Sequence, residues 1–421
     1  MLLGAIADDL TGATDLSLML SREGMRTIQM IGVPASGFDA GQADAVVVAL
    51  KSRTNPASEA QAMSLAALDW LEASGARQVL FKYCSTFDST PKGNIGPVTE
   101  ALMGALGADL TIVCPAFPAN GRTVFKGHLF VGDQLLSESA MRNHPLTPMT
   151  DSSLLRLMRA QTALPVGLVP QQVVARGPEA IGEAFAAARR NGERVLVVDA
   201  ISDGDLRAIG EACADLRLIT GGSGIAIGLP RNFRRAGLLP EISAPAAFAV
   251  PEGRSAILAG SCSEATRGQI RTAIEAGMPA MRLDPLAMAE GRLTVEAALE
   301  WAMPIADLPP LLYSSAEPED VHAAQERLGR ERAGEVIEHF LAEAAIGLRA
   351  RGFRRLIIAG GETSGAVVGA LAPPALLIGP EIDPGVPWTL TIGASETMAL
   401  ALKSGNFGTP DFFLKAWELL K

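Results

Sequence analysis

The stretch LLGAIADDLTGATDLSLML (residues 2–20) contains the pattern that decides the fold. Its apolar residues 2–6 predict a buried strand, the polar residues after them predict a turn, and residues 13–21 predict a helix. This order is the building unit of α/β folds, in which ligands bind beyond the carboxyl ends of parallel strands. The pair Asp8 and Asp9 therefore falls where a ligand is expected.

The same alternation of strands and helices continues along the chain. Further strands are predicted at residues 45–50, 79–83, 110–114, 194–199, 216–220, 255–259 and 355–359, and further helices at 179–190, 203–215, 264–276, 333–351, 364–372 and 395–403. Residues 231–253 interrupt this rhythm with Pro, Ala and charged side chains, which predicts a linker. The sequence thus predicts two α/β domains with mainly parallel sheets, residues 1–230 and 254–421, and an interdomain cleft.

Composition narrows the class of protein. The 421 residues include 46 acidic and 36 basic ones, which give a net charge of −10. No block of Lys and Arg stands out, which argues against nucleic acid as a partner. No apolar run reaches the roughly 18 residues of a membrane span, and the N-terminus lacks the features of a signal peptide. The four cysteines form no CxxC pair, so we expect a globular cytoplasmic protein with free thiols.

Asp8 and Asp9 are the first candidates for chemistry. Two adjacent carboxylates after a strand can hold a metal ion, or one of them can act as a general base. The alternative is helix capping, because Asp and Thr are good N-cap residues. One Asp would suffice for a cap, so the pair favours a functional role.

Residues 82–94 (KYCSTFDSTPKGN) form a second candidate, a loop dense in hydrogen-bond donors after a predicted strand. Such a loop can bind a polyhydroxylated anion, although a solvated loop with local Ser, Thr and Asn turns is the alternative. After another strand, Lys51 and Arg53 supply two more cations, and the planar fork of Arg matches a carboxylate. A solvated position is otherwise the default for both. The candidate substrate-binding residues are Lys51, Arg53, Lys82, Ser89, Lys92 and Asn94.

Three glycine-bearing turns occur in the second half: AGSCS (259–263), AGGETSG (359–365) and KSGNFG (403–408). Glycine lets the backbone approach a phosphate closely, and a following helix offers free N–H groups and a positive dipole end. None of the turns is a P-loop, and the absence of GxGxxG argues against a dehydrogenase. Residues 379–388 (GPEIDPGVPW) are predicted as a stiff loop, either beside the cleft or on the surface.

Three motifs together resemble the four-carbon acid sugar kinase family: IADDLTGATD (6–15), GGETSG (360–365) and LKSGNFG (402–408). The resemblance implies an N-terminal domain for the sugar acid and a C-terminal domain for the nucleotide. Within the family, LKSRTNP (50–56), the loop at 81–99 and LLSESAMRNHPLTPM (135–149) resemble the branch that acts on 3-oxo-tetronate. Threonate and erythronate kinases have a DTESR-like segment and a KIDSTLRGN-like loop, from which this chain departs.

The resemblance implies transfer of a phosphate from ATP, with Mg²⁺, to the 4-hydroxyl of 3-oxo-tetronate. The alternatives are a D-threonate or D-erythronate kinase and a non-catalytic sugar-acid sensor. Which residues bind the metal ion stays open, and so does the question of whether the protein forms a homo-oligomer. Nucleotide contacts carried over by motif are Ser263, Gly360, Gly361, Glu362, Thr363 and Gly405, and the choice among the serines of residues 260–263 is open. The candidate catalytic carboxylates are Asp8, Asp9 and Asp88; Asp8 is favoured as base because it should point outward at the sheet edge.

Overall fold

The computed structural model describes residues 1–34, 38–144, 147–241, 248–305, 307–314 and 326–420, without the side chains of residues 330 and 331. The chain divides into two compact units, Met1–Pro245 and Ala246–Lys421. Each unit contains a series of hydrogen-bonded, mostly parallel strands with helices around it, so the predicted α/β class with mainly parallel sheets is confirmed.

The first unit contains an eight-stranded sheet in which all neighbouring strands are parallel, in the order β2-β3-β1-β4-β11-β5-β10-β9. Its central strands are short runs of apolar, often β-branched residues, because a parallel strand covered on both faces has no polar side. The strands are β1 Leu3–Ala7, β2 Thr27–Ile31, β3 Ala45–Ala49, β4 Gln78–Lys82, β5 Thr111–Cys114, β9 Val166–Val169, β10 Val195–Val198 and β11 Leu218–Gly221.

Helices connect these strands, and a small antiparallel sheet is inserted after β5. The inserted strands are β6 Arg122–Phe125, β7 His128–Val131 and β8 Gln134–Leu135. The helices are α1 Leu10–Arg22, α2 Ala57–Ala73, α3 Ile95–Leu106, α4 Leu154–Gln161, α5 Gln171–Val174, α6 Pro178–Arg190, α7 Asp203–Ala212 and α8 Pro230–Arg235.

The second unit has a seven-stranded sheet in the order β13-β14-β12-β15-β18-β17-β16, parallel from β13 to β18 and antiparallel beyond. Its strands are β12 Arg254–Ala259, β13 Ala280–Arg282, β14 Leu311–Tyr313, β15 Phe353–Ala359, β16 Ala375–Asp383, β17 Val386–Ile392 and β18 Ala399–Lys403. Its helices are α9 Glu264–Glu275, α10 Pro285–Ala289, α11 Val295–Ala302, α12 Arg330–Ala350, α13 Gly361–Leu371 and α14 Phe412–Lys415.

Two predictions near the end of the chain are wrong. Residues 395–403, predicted as a helix, contain strand β18, all five residues of which are buried between β15 and β17. Alanine and leucine favour helices in isolation, but ladder pairing on both sides overrides that preference. Residues 379–388, predicted as a loop, belong to the β16–β17 hairpin, which turns at Gly385 with a φ of 84°.

The predicted linker begins with helix α8, whose proline at the first turn suits a helix start and whose Phe233 is buried. Residues 242–247 of that linker lie outside the described residues. All four cysteines are free thiols, of which Cys114 and Cys213 are buried. In the part of the chain that the structure describes, no helix is long and apolar enough to cross a membrane.

Candidate active site

Three parallel strands of the first unit end at the same level and bring their following residues together. Ala7 of β1 is in register with Ala49 of β3 on one side and with Lys82 of β4 on the other. The loop after β3 is tied to Asp8, because the N–H groups of Ser52 and Arg53 donate to the Asp8 carbonyl at 3.0 and 3.2 Å. The sheet edge therefore gathers side chains that lie far apart in the sequence.

Arg53 is the centre of an ion-pair network at this edge. Its guanidinium donates to both carboxylate oxygens of Asp8, at 3.0 and 2.8 Å, and to Oδ1 of Asp9 at 2.6 Å. Its remaining nitrogen lies 3.8 Å from Oδ2 of Asp88. All three predicted carboxylates thus surround one arginine, and Arg53 holds them rather than standing free for a substrate carboxylate.

Lys82 is the second cation of the site. Its ammonium is buried and lies 3.3 Å from Oδ1 of Asp9, whose other oxygen accepts a hydrogen bond from Thr11 at 2.9 Å. Gly12, in the first turn of α1, makes room for this pair: a Cβ there would lie 1.7 Å from the Lys82 Nζ. Asp9 occupies the N-cap position of α1 without a side-chain capping bond, so its carboxylate is taken up by these side chains instead.

The two adjacent carboxylates differ electrostatically. Burial raises the pKa of Asp8, against the lowering effect of Arg53. Burial also acts to raise the pKa of Asp9, but the positive charges of Lys82 and Arg53 prevail and hold it well below its usual range. The Asp8 side chain, expected to point outward, is only 6% exposed, whereas that of Asp9 is 24% exposed. Asp8 is thus the more basic carboxylate and Asp9 the more open one.

The other predicted substrate-binding residues occupy different places. Asn94 is buried and its amide donates to the carbonyls of Ser52, Arg53 and Asn55, so it shapes the Arg53 loop from behind. Ser89 is buried and donates to Oε1 of Gln161 at 3.2 Å. Lys51 and Lys92 lie exposed on their loops.

Gln161, at the end of α4, is a residue that sequence reasoning missed. Its amide donates to the Thr90 carbonyl at 2.7 Å, and its oxygen accepts from the Gly96 N–H at 2.9 Å. It thereby fixes the loop that carries Asp88 and Ser89. Nothing in its local sequence marks this role, because the residues it joins are 65 to 72 positions away.

The second unit repeats this arrangement with backbone instead of charged side chains. Ala359 of β15 is in register with Ala259 of β12 and with Lys403 of β18. The turns after these strands are hydrogen-bonded across, because the Gly260 N–H donates to the Ala359 carbonyl at 3.0 Å and the Gly360 N–H donates to the Lys403 carbonyl at 2.8 Å. All three glycine-bearing turns predicted from the sequence therefore lie side by side.

A cavity of about 290 Å³ opens beside two of these turns. Its lining residues are Gly260, Ser261, Gly334, Ile337, Glu338, Gly360, Gly361, Glu362 and Thr363. The predicted nucleotide contacts from Gly360 to Thr363 form one side, and a face of α12 forms the other. Gly361 and Glu362 are exposed in the first turn of α13, where free N–H groups favour an anion. The α12 face was not predicted.

Ser263 and Gly405, the remaining predicted nucleotide contacts, bind each other. The Ser263 hydroxyl donates to the Gly405 carbonyl at 2.6 Å and accepts from the Thr266 N–H at 3.2 Å, so it caps α9. Ser261 lines the cavity instead. Gly405 lies so close to Ser261 that a Cβ would be 2.4 Å from its hydroxyl oxygen. Both serines therefore adjoin the Gly405 loop, and Ser261 is the one that lines the cavity.

A metal ion would find few ready ligands in the protein. Among the described residues no group of three His, Cys, Asp or Glu side chains is spaced to hold one. Mg²⁺ bound with a nucleotide takes most of its oxygen ligands from phosphates and water, with one or two carboxylates from the protein. The three aspartates around Arg53 have the right chemistry for that smaller share.

Comparison with known protein families matches each unit to a different domain family. A model described as a sugar-binding N-terminal domain matches residues 3–229, and one described as a nucleotide-binding C-terminal domain matches residues 256–413. A crystal structure of a Salmonella typhimurium LT2 protein matches with a TM-score of 0.90, 42% identity and 98% of both chains covered. Haemophilus influenzae protein HI1011 matches with a TM-score of 0.85 and 43% identity, over 99% of this chain and 100% of that one.

Curated relatives match over the whole chain. The 3-oxo-tetronate kinase of Cupriavidus necator is 59% identical over 100% of this chain and 97% of its own length. The 3-oxo-tetronate kinase of Pseudomonas fluorescens is 58% identical over 99% of this chain and 96% of its own length. These matches confirm the prediction of a kinase and decide against a non-catalytic sensor. The chain belongs to the four-carbon acid sugar kinase family.

Proposed function

We propose that this kinase transfers the terminal phosphate of ATP to the 4-hydroxyl of 3-oxo-tetronate. The observation that carries the proposal is the group of three carboxylates and two cations at one sheet edge, in a chain 59% identical to a 3-oxo-tetronate kinase. Phosphoryl transfer needs mainly positioning and charge neutralisation, and this group supplies both.

In this proposal the acid binds against the positive side of the network. Lys82 and Arg53 are the two cations of the buried cluster, and Asp9 is its most open carboxylate. Lys82 contacts the site as a point charge, and it keeps its ammonium charged because Asp9 and Asp8 raise its pKa against the effect of burial. The exposed Lys51 and Lys92 would attract the acid from solution rather than orient it.

Asp8 is the proposed general base. A sugar hydroxyl is a poor nucleophile, and a carboxylate that accepts its proton as the bond to phosphorus forms lowers the barrier. Burial raises the pKa of Asp8, so its carboxylate holds a proton more strongly than Asp9 does. Arg53 fixes both Asp8 oxygens and thereby its orientation. Asp9 is the proposed partner for a substrate hydroxyl or for the metal ion. Asp88 is proposed to organise its own loop, in which it accepts a hydrogen bond from Thr86.

ATP is proposed to place its phosphates against the glycine turns of the second unit. Gly360, Gly361 and Thr363 line the cavity, and the two glycines bring backbone to its wall without a side chain of their own. The first turn of α13 adds the positive end of an eleven-residue helix. Mg²⁺ would neutralise part of the phosphate charge. The proposal includes a cytoplasmic setting, where ATP is available, and cell fractionation would test it.

A coupled ADP-release assay across four-carbon acids tests the substrate. We expect the highest kcat/KM for 3-oxo-tetronate and lower values for D-threonate and D-erythronate. Higher activity on either of the latter would place the chain in another branch of the family. Phosphorus NMR of the product should show a phosphate ester on the terminal carbon, and a phosphate at any other position would contradict the proposed acceptor.

A further inference from the structure

Lys403, the last residue of β18, is a buried lysine with an unusual set of partners. Its side chain is 0% exposed. The ammonium lies 3.0 Å from the Thr266 hydroxyl, 3.0 Å from the carbonyls of Ser404 and Gly405, and 3.2 Å from that of Phe407. All four acceptors are neutral, and no carboxylate of the described residues forms an ion pair with it. Three N–H donors are thus fully used on backbone and hydroxyl oxygens.

A buried cation without a counter-charge is expensive, and a core position would be filled more stably by an apolar side chain. Burial lowers the pKa of Lys403 to about 8. The Lys403 ammonium orients the loop that follows it, because three carbonyl groups within residues 404–407 all point toward it. The lysine therefore determines which way the peptide groups of this loop face.

The orientation of the carbonyls fixes that of the N–H groups. In a trans peptide the N–H points opposite to the carbonyl of the same peptide unit. The N–H groups of Gly405, Asn406 and Gly408 belong to the three units whose carbonyls bind Lys403, so they point away from the ammonium. Within the described residues none of the three has a hydrogen-bond partner. Unpaired backbone N–H groups in a loop are donors that suit an anion.

The loop borders the cavity of the second unit. Gly405 approaches Ser261, a lining residue, so closely that no Cβ would fit. The loop itself is partly exposed, with Asn406 at its open end. An anion in the cavity beside Ser261 would therefore lie close to Gly405, whose N–H is one of the three unpaired groups.

We propose that Lys403 is a positioning residue for the nucleotide: by holding the loop carbonyls inward, it presents the N–H groups of Gly405, Asn406 and Gly408 to the phosphates of ATP. This inference rests on the proposed function, because it takes ATP as the ligand. It assigns Lys403 no contact with the substrate, and it explains why a charge is buried where no counter-ion lies.

Lys403→Met tests the inference, because it keeps the length of the side chain and removes the ammonium. We expect calorimetry to show that the affinity for ATP falls about tenfold or more, because a charge-assisted set of hydrogen bonds that orients the loop is lost. Adenosine should bind to the variant as tightly as it binds to the wild-type protein. In the kinase assay KM for ATP should rise and KM for the acid should not. A merely structural role would lower kcat through loss of folded enzyme and leave KM for ATP unchanged, which would overturn the inference.

A second pair of variants avoids the core. Asn406 is exposed, so Asn406→Ala keeps the backbone N–H and Asn406→Pro removes it. We expect the proline variant to bind ATP several-fold more weakly than the alanine variant, with equal adenosine binding. Equal ATP affinity of the two would contradict the role of this N–H. Wild-type protein that bound no ATP would overturn the proposed function, whereas wild-type binding with unaltered variants would overturn this inference alone.

Discussion

In each unit a buried strand ends on a lysine, and the surroundings of the two lysines differ. Lys82, at the end of β4, faces the carboxylate of Asp9 at 3.3 Å, and the nearby Asp9 and Asp8 charges raise its pKa against burial. Lys403, at the end of β18, faces backbone carbonyls and a hydroxyl, and burial alone lowers its pKa to about 8. The first site is made of side-chain charge, and the second is made of backbone dipoles.

The difference predicts how each site fails. A network of charged side chains depends on the identity of each member, because removing one leaves its partner buried and uncompensated. A site of backbone groups also depends on close approach, so added volume alone can damage it. Substitutions in the two units should therefore affect different kinetic constants. Three variants test that separation, and a fourth tests the stability of the charged network.

Asp8→Asn should have the largest effect. The amide keeps the shape of the side chain but cannot accept the hydroxyl proton, so kcat should fall about 10²- to 10⁴-fold with KM for ATP unchanged. Because burial raises the pKa of Asp8, wild-type kcat should fall with acid at a pH above the usual aspartate range, as the base is protonated. Near-normal kcat in Asp8→Asn, with loss in Asp9→Asn or Asp88→Asn, would move the base to that residue.

Arg53→Met should be the most destabilising change. It leaves Asp8 buried beside Asp9 and Asp88 without their shared cation, which should lower the free energy of unfolding by about 3 kcal/mol. Arg26→Met is the matched control, since Arg26 forms a similar two-point pair with Asp44 but is 51% exposed. Its loss should be under about 1 kcal/mol. Urea unfolding of both variants measures this, and equal losses would show that burial of the network adds nothing.

Gly405→Ala should damage the backbone-built site through volume alone. The new methyl group would lie 2.4 Å from the Ser261 hydroxyl oxygen, so the loop after β18 must move. We expect KM for ATP to rise about tenfold while KM for the acid is unchanged, on the scale of one charge-assisted hydrogen bond. A rise in KM for the acid instead would refute the separation of the two sites.

Gly12→Ala should have the smallest effect. Its methyl group would meet two side-chain ends, the Lys82 ammonium and Oδ1 of Asp9, and disturb the ion pair between them. KM for the acid should rise severalfold, with KM for ATP unchanged, since a weakened ion pair and not a lost group is involved. Gly104→Ala is the control, because a methyl group there meets nothing within 4 Å. If both variants behave like wild type, Lys82 has more freedom than its burial indicates.

Sequence reasoning located the turns better than the elements that lead to them. The turn at residues 403–408 was predicted correctly as a glycine-bearing loop, although the strand before it was predicted as a helix. Glycine and polar residues mark a turn locally, whereas the choice between helix and strand for an Ala- and Leu-rich run is made by its neighbours in the sheet.

The sequence indicated which charged residues belong to the first site, but not which of them form ion pairs with one another. Arg53 was predicted as a substrate-binding residue, but its ion pairs with Asp8 and Asp9, 45 and 44 positions earlier, were not predicted. Lys403 was noted only as part of its turn, and its distant partner Thr266 lies 137 positions earlier. Such pairings depend on strand order and register, which no local pattern contains.

The amide of Asn94 has a consequence for the order in which the molecule takes shape. It fixes the carbonyls of Ser52, Arg53 and Asn55, residues made 42, 41 and 39 positions earlier in the chain. During synthesis the Arg53 loop therefore lacks its restraint until Asn94 has emerged and α3 has begun. The arrangement of Arg53 with its aspartates is expected to be completed late, after the strands that support it. A chain released before Asn94 would carry the charges of the site without their arrangement.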